Sequence, residues 1–243
     1  MSLWSDLKVI YHMVLKPIRG KDHAQRLESF YMGQAEHYDS FRRRLLRGRE
    51  DLWRVLGAPE GAIWVDMGGG TGANLEFFGD DIEKLQKVYL VDLSASLLKV
   101  AEERVRKHGW NNVVVVEADA TKFVPDWQPV DVVTFSYSLT MIPDWFAAID
   151  HAEKLLRPGG LVGVVDFYVA RKYPPAGFTR HSWVTRWFWP FWFARDNVFL
   201  SPDHVPYLHR RFDRVFFAEC RTKIPWVPFG RVPYYIFVGE KRA

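Results

Sequence analysis

Over residues 3–18 the apolar side chains Leu3, Trp4, Leu7, Ile10, Tyr11, Val14, Leu15 and Ile18 recur at helical spacing. Polar residues fill the other face, so the pattern predicts an amphipathic helix that Pro17 and Gly20 end. A charged helical stretch follows from about 22 to 56, with a possible break at Tyr31 to Gly33, and the two together predict a helical cap over 1–60. From Ala62 the rhythm changes. Short apolar runs at 62–67, 87–92, 113–118, 130–136 and 161–167 alternate with helical stretches that fill the gaps, the pattern of a parallel sheet covered on both faces. One of these helices starts at Ser94, turns Leu97, Leu98, Ala101 and Val105 inward, and ends near Gly109. After Tyr168 the alternation stops, and residues 171–200, rich in Trp, Phe and Arg, read as an insertion between the fifth and sixth strands, where Pro190 prevents one smooth helix. Ser201-Pro202-Asp203 predicts a further helix start with Pro202 at its first position, and runs at 214–220 and 234–240 predict two antiparallel closing strands. The expected architecture is therefore α/β: a mostly parallel seven-stranded sheet with the last strand antiparallel. It comprises a 1–60 cap, a 61–168 core, a 169–200 aromatic insertion and a 201–243 closing unit, all within one domain.

Composition adds constraints. The 243 residues are 48% hydrophobic and 26% charged, ordinary for a folded chain, but 16% aromatic with 11 Trp is an excess that needs a location. A formal charge of +4 suits an anionic surface and is too small to argue for nucleic acid. With Cys220 as the single cysteine, neither an internal disulfide nor a thiolate-rich metal site is expected, and a reducing compartment is the natural setting. No run of eighteen apolar residues occurs to span a bilayer, and Asp6, Lys8, His12 and Lys16 interrupt the first apolar stretch, so no secretory leader is expected. These features predict a cytoplasmic chain.

The densest chemistry lies in Val65-Asp66-Met67-Gly68-Gly69-Gly70-Thr71-Gly72, a strand running into a glycine-rich turn and then a helix near Ala73. Side chains there would keep a ligand from the backbone and from the helix N-terminus. Asp92, twenty positions after Gly72, ends the second strand where a carboxylate accepts hydrogen bonds from ribose hydroxyls, a feature that dinucleotide enzymes share. The readings part at Ala118-Asp119-Ala120, at the run from Asp131 to Ser138, and at Leu156-Arg157-Pro158-Gly159-Gly160. That series, with the closing strand Tyr234 to Lys241, resembles the class I S-adenosylmethionine-dependent methyltransferases, which are Rossmann-like. The resemblance implies S-adenosylmethionine as cofactor, Asp119 facing the adenine amino group, and a cofactor set of Tyr38, Asp66, Gly68, Gly69, Gly70, Thr71, Gly72, Asp92, Leu93, Asp119, Ala120 and Ser136. The plainer alternative is that Asp66, Asp92 and Asp119 only cap turns.

Methyl transfer is an in-line displacement that needs alignment, desolvation and an unprotonated nucleophile, so no conspicuous acid is required. Tyr38, Asp39, Tyr137, Asp166 and His181 are candidates by position for a proton acceptor, although Asp166 and His181 taken singly also read as structural hydrogen-bonding residues. The cap carries Arg26-Leu27-Glu28-Ser29-Phe30-Tyr31, then Gln34-Ala35-Glu36-His37-Tyr38-Asp39, then Arg42 to Arg44 and Leu45-Leu46-Arg47-Gly48-Arg49-Glu50. These segments resemble the methyltransferase part of betaine lipid synthases. The resemblance implies trimethylation of the amine of a diacylglyceryl homoserine, and a separate enzyme to supply that lipid, since the second domain that makes it in eukaryotic members has no room here. Arg42 and Arg47 would hold the homoserine carboxylate, unless the Arg-rich stretch is only a solvated helix face. Rings of Tyr38 and Tyr137 would stabilise the sulfonium and the growing quaternary ammonium. Trp183, Trp187, Phe188, Trp189, Phe191, Trp192 and Phe193 lie among Arg180, Arg186 and Arg195, the mixture of a membrane interface, or else of a lid or dimer surface. The expectation is a peripherally membrane-associated lipid amine N-methyltransferase. Its rivals are methylation of phosphatidylethanolamine or a quinone precursor, and a non-catalytic interaction module.

Overall fold

The computed structural model describes residues 25, 28, 45–224 and 230–242. The amphipathic stretch 3–18, Tyr38, Asp39 and Arg42 therefore lie outside the described residues. Among those described, the order is α1 (Arg49–Leu56), β1 (Ile63–Met67), a 3₁₀ helix (Ala73–Lys84) broken by a kink at Gly79, β2 (Lys87–Asp92), α2 (Ala95–His108), β3 (Val113–Glu117) and β4 (Val130–Ser136). There follow α3 (Trp145–Leu155), β5 (Leu156–Phe167), α4 (Trp183–Ala194), α5 (His204–Arg211), β6 (Phe212–Lys223) and β7 (Arg231–Lys241). The strands form one seven-stranded sheet in the order β3-β2-β1-β4-β5-β7-β6. The first five pair in parallel, and β7 runs antiparallel to both β5 and β6. This is the Rossmann-like architecture that the strand and helix alternation predicts.

Strand alternation builds two cores. Trp64 on β1, Leu90 on β2, and Tyr234, Ile236 and Val238 on β7 face α1, the 3₁₀ helix and α4. Val65, Met67, Val91, Tyr235 and Phe237 face α3 and α5 instead. Burying both faces explains why these strands read as nearly continuous apolar runs rather than alternating ones. Helix α2 behaves as its sequence predicts: the Ser94 side chain accepts from the Leu97 amide, and Gly109 closes the helix in a left-handed conformation.

Three expectations need correction. No helix fills the link from β3 to β4, which runs through turns and bends. Helix α4 runs unbroken through Pro190, since a proline costs the helix one amide bond, and here Trp189 and Phe193, one on each side of it, are anchored in the core. Pro202 precedes the helix rather than opening it; Asp203 is the cap residue and His204 the first residue of α5. No helix among the described residues is long and apolar enough to cross a membrane.

Candidate active site

β1 lies between β2 and β4, and the chain order reverses there, so the loops leaving β1 and β4 diverge and open a crevice at the carboxyl ends of the strands. The crevice holds about 260 Å³. Gly68 and Gly70 from the first turn, Asp92 and Leu93 after β2, Asp119 and Ala120 after β3, and Tyr137 and Ser138 after β4 all line it. The sequence reading missed Leu97, Thr121, Met141, Ile142, Pro143 and Asp144, which complete the wall. Their signal was faint, an apolar Met-Ile-Pro run just past a strand end.

The geometry fits a nucleoside. Gly68 and Gly70 have φ values of 73° and 58°, the left-handed region where side chains are disfavoured. A Cβ on Gly68 would lie 2.4 Å from the Ser138 Cβ, so glycine is what lets the two loops approach this closely. The Asp92 carboxylate accepts from the Gly70 amide (2.9 Å) through Oδ2 and from the Ser94 amide (2.9 Å) through Oδ1. Those bonds fix its plane, and carboxylate oxygens can each accept more than one donor, so it can take two ribose hydroxyls as well. Asp119 is held likewise, its Oδ1 accepting from the backbone amide (2.8 Å) and hydroxyl (2.7 Å) of Thr121. Glu28 gives the cap a foothold beside this rim: its Oε2 accepts from the Ser94 hydroxyl (2.8 Å) and the Ser96 amide (3.3 Å) at the start of α2.

Several residues expected in the site lie beneath or beside it. Asp66 is fully buried under the glycine turn, accepting from Thr134 Oγ1 (2.8 Å) and Asn74 Nδ2 (3.2 Å), and it lines no part of the crevice. Asn74 in turn accepts from Arg49 Nη1 (3.1 Å). Asp66 is thus a positioning residue that ties the turn to α1 and β4. Gly69, Thr71 and Ser136 line a small adjoining pocket with Arg49, while Gly72 caps the 3₁₀ helix. Asp166 is buried, accepting from the Thr140 amide (3.0 Å), the Thr140 hydroxyl (2.8 Å) and the Phe167 amide (2.7 Å). His181 accepts from the Ala170 amide (2.9 Å) at the base of the insertion, and burial lowers its pKa to about 4. Neither reaches the crevice. Both are structural, because a buried polar side chain is spent on the nearest unpaired backbone groups.

Among the described residues, Tyr137 is the catalytic candidate that lines the crevice. Its φ of 55° is a conformation that a bulky residue rarely adopts. Three contacts hold it there: its amide donates to Val165 O (2.7 Å), its ring meets Phe167 edge-on (4.6 Å), and its hydroxyl donates to the Arg47 carbonyl (2.6 Å). Burial pushes that hydroxyl's pKa well up, which favours its neutral form, the form that donates to Arg47 O.

Burial raises Asp66 to about 6 and Asp166 to about 7 from an ordinary value of 3.8. A raised carboxyl pKa means that the folded state holds the proton more tightly. The associated stability is complete below about pH 3.8 and is lost as pH rises through about 6 to 7. The share of stability that these two carboxyls contribute should therefore fall between pH 5 and pH 8 by the equivalent of a few kcal/mol, against the opposite contribution of the buried His181 and His204, whose lowered pKa values make them stabilise more as pH rises to about 6.5. Asp166→Asn should flatten that slope in calorimetric scans; an unchanged slope would remove Asp166 as its source.

A chain with this sheet order, glycine turn and pair of acidic strand ends resembles known methyltransferases in sequence as well as in fold. It is 27% identical over 143 residues to a demethylmenaquinone methyltransferase of Geobacillus stearothermophilus, covering 56% of this chain and 61% of that relative. It is 29% identical over 168 residues to the ubiquinone/menaquinone biosynthesis C-methyltransferase UbiE of Stutzerimonas stutzeri, covering 67% of this chain and 66% of that one. The chain thus spans about three fifths to two thirds of the length of these curated relatives. The N-methyltransferase NodS of Bradyrhizobium japonicum, solved with S-adenosyl-L-homocysteine, shares the fold at a TM-score of 0.59 and 15% identity, over 85% of this chain and 98% of its own. The ubiE/COQ5 methyltransferase family model matches residues 21–184, from the cap through the whole crevice and into the insertion. The chain belongs to that family of S-adenosylmethionine-dependent methyltransferases.

Proposed function

We propose that this protein transfers methyl groups from S-adenosylmethionine to the amine of a lipid head group, diacylglyceryl homoserine, at a membrane surface. The observation that carries the lipid is helix α4. Trp183, Trp187 and Phe191 recur every fourth residue along it and stand 73%, 63% and 60% exposed, and Val184 and Trp192 widen the stripe. Exposed tryptophan flanked by the exposed Arg180 and Arg195 is the composition that rests at the boundary between head groups and acyl chains. The buried side of α4 leads inward. Phe193 packs on Phe167 (4.9 Å), and Phe167 packs on Tyr137 at the crevice wall.

The cap motifs that resemble betaine lipid synthases supply the head group, and proton chemistry agrees with an amine. When bound, S-adenosylmethionine supplies a methyl carbon made electrophilic by its sulfonium. A neutral amine attacks through its own lone pair once its ammonium proton has gone to water, so the chain has only to align it and exclude bulk solvent. The Asp92 and Asp119 carboxylates would hold the ribose and adenine ends, and the bare backbone of Gly68 and Gly70 would admit the methionine part. A quinone precursor is the second reading, and the names of the curated relatives favour it. Carbon attack from a phenolic ring needs the ring hydroxyl's proton to leave first, as the amine needs its ammonium proton to leave, and a phenol is about as acidic as an alkylammonium. The hydroxyl of Tyr137 is committed to Arg47 O as a donor.

Labelled S-adenosylmethionine offered with vesicles carrying diacylglyceryl homoserine, phosphatidylethanolamine or demethylmenaquinone separates these acceptors. Mono-, di- and trimethylated homoserine lipid is expected; label on the quinone alone would transfer the assignment to the second reading. The double variant Trp187→Glu with Phe191→Glu should lose at least tenfold in vesicle flotation and in activity on vesicles. Its activity on a detergent-dispersed short-chain acceptor should stay near wild type. Equal loss in both assays would make the helix structural.

A further inference from the structure

Beside the crevice, the small pocket at the glycine turn holds a buried cation, Arg49. Helix α1 seats it there. Leu52, Trp53 and Leu56 anchor the helix in the core, and Gly48 starts it in the left-handed region (φ 80°), where a Cβ would meet the Tyr234 ring at 2.6 Å. Arg49 is the first helical residue, one turn before Trp53, and so shares the buried face of α1. Its guanidinium is held in a fixed plane: Nε donates to the Leu46 carbonyl (3.1 Å), Nη1 donates to Asn74 Oδ1 (3.1 Å), and Cζ stands 5.6 Å from the centre of the Phe77 ring. Burial pushes Asp66 and Tyr137 up, and the Arg49 charge acts against that push on both, so it stands within reach of the turn and of the crevice wall. Gly68 and Gly69 line the same pocket, as does Ser136 from the end of β4. The Ser136 hydroxyl is buried and has no hydrogen-bond partner among the described residues, which points to a ligand that completes it.

Gly68 also lines the crevice, so pocket and crevice meet at that residue. The strand order fixes what reaches it. Asp119 follows β3 and Asp92 follows β2, while Gly68 and Ser136 stand at the ends of β1 and β4. A nucleoside with its base at Asp119 and its ribose at Asp92 spans the first two strands and sends its 5′ arm across β1 toward β4. In S-adenosylmethionine that arm carries the sulfonium and then an α-amino acid. We infer that Arg49 grips the carboxylate of this amino acid, and that the pocket seats the amino-acid end of the cofactor with the Ser136 hydroxyl accepting from its ammonium. A guanidinium fork matches a carboxylate in geometry and charge, and one already oriented by Leu46 and Asn74 has little order left to lose on binding. Asn74, bonded to Asp66 as well, ties the grip to the underside of the glycine turn. The inference rests on the placement of the nucleoside at Asp92 and Asp119 and is independent of which acceptor is methylated. It makes the far end of the cofactor a determinant of selectivity, since a nucleoside without the carboxylate has nothing to offer Arg49.

The test compares S-adenosylhomocysteine with its decarboxylated analogue, which keeps the ammonium and lacks only the carboxylate, each titrated calorimetrically into the whole protein. Wild type should bind S-adenosylhomocysteine roughly thirtyfold more tightly or better, the scale of one charge-assisted bond. Arg49→Gln should bring the two ligands within threefold of each other, while its affinity for the decarboxylated analogue stays within threefold of wild type. Arg49→Lys, which keeps the charge and loses the fork, should retain part of the preference. Thermal melting checks the folding of each variant. If Arg49→Gln does not fold, the lysine variant decides, and an undiminished preference there would overturn the inference. Equal binding of the two ligands by wild type, a preference that survives in Arg49→Gln, or an equal loss of both ligands in that variant would each overturn it too, the last by making Arg49 structural. Binding of neither ligand would remove the nucleoside placement and the grip together.

Discussion

Asp92→Ala should weaken binding of S-adenosylhomocysteine by a hundredfold or more while the protein still folds. The wild-type carboxylate has both oxygens oriented by backbone amides, Gly70 on one and Ser94 on the other. It therefore meets the ribose without first having to be ordered, and each charge-assisted bond to a hydroxyl is worth about 1.5 to 3 kcal/mol. Two such bonds correspond to a factor on the order of 10² to 10⁴ in affinity. The same substitution also strands the Gly70 amide, which is part of the crevice wall, so the loss should lie toward the upper end. Asp92→Asn keeps one acceptor oxygen and should fall between wild type and alanine. Calorimetric titration reads both, with thermal melting as the control for folding. An alanine variant that folds and binds within threefold of wild type would show that the ribose is held elsewhere.

The place of Asp92 on the crevice wall was legible in the sequence because it depends on distance along the chain: a strand end twenty residues past a glycine turn has one place to be in a parallel sheet. The strands, helix α2 and its two caps, and the line of Gly68, Asp92 and Asp119 were legible for the same reason. Each is written in local periodicity or in a turn residue, and the tertiary fold only brings them into register. Asp66, Asp166 and His181 were not, because a polar residue at the end of a buried strand looks the same in sequence whether it faces a ligand or the underside of a turn. What decides is which backbone amide lies nearest, as Thr140 does for Asp166 and Ala170 for His181. Helix α4 shows the opposite failure, since the rule that proline breaks a helix is local and the anchoring of Trp189 and Phe193 is not.

Gly68→Ala should be among the most damaging single substitutions in the crevice, and its cause can be isolated. The added methyl would sit 2.4 Å from the Ser138 Cβ and 3.1 Å from its Oγ, well inside van der Waals contact. The Ser138 side chain cannot swing aside cheaply, because its hydroxyl donates to the Met67 carbonyl at 2.8 Å, one residue before the glycine. A φ of 73° adds about 1 to 2 kcal/mol for any residue with a Cβ. Relief requires the loops after β1 and β4 to part, which widens the crevice where the cofactor must be gripped. Loss of several kcal/mol of stability and of measurable S-adenosylhomocysteine binding is expected. The decisive variant is the pair Gly68→Ala with Ser138→Gly. Removing the serine Cβ leaves the Ser138 Cα, at 3.7 Å, as the nearest of the three contacts, an ordinary distance. The double variant should therefore regain most of the steric share of the loss and retain only the backbone strain and the missing Ser138 to Met67 bond. If instead the two substitutions add, the overlap with Ser138 is not what makes glycine necessary, and the left-handed turn alone must account for it.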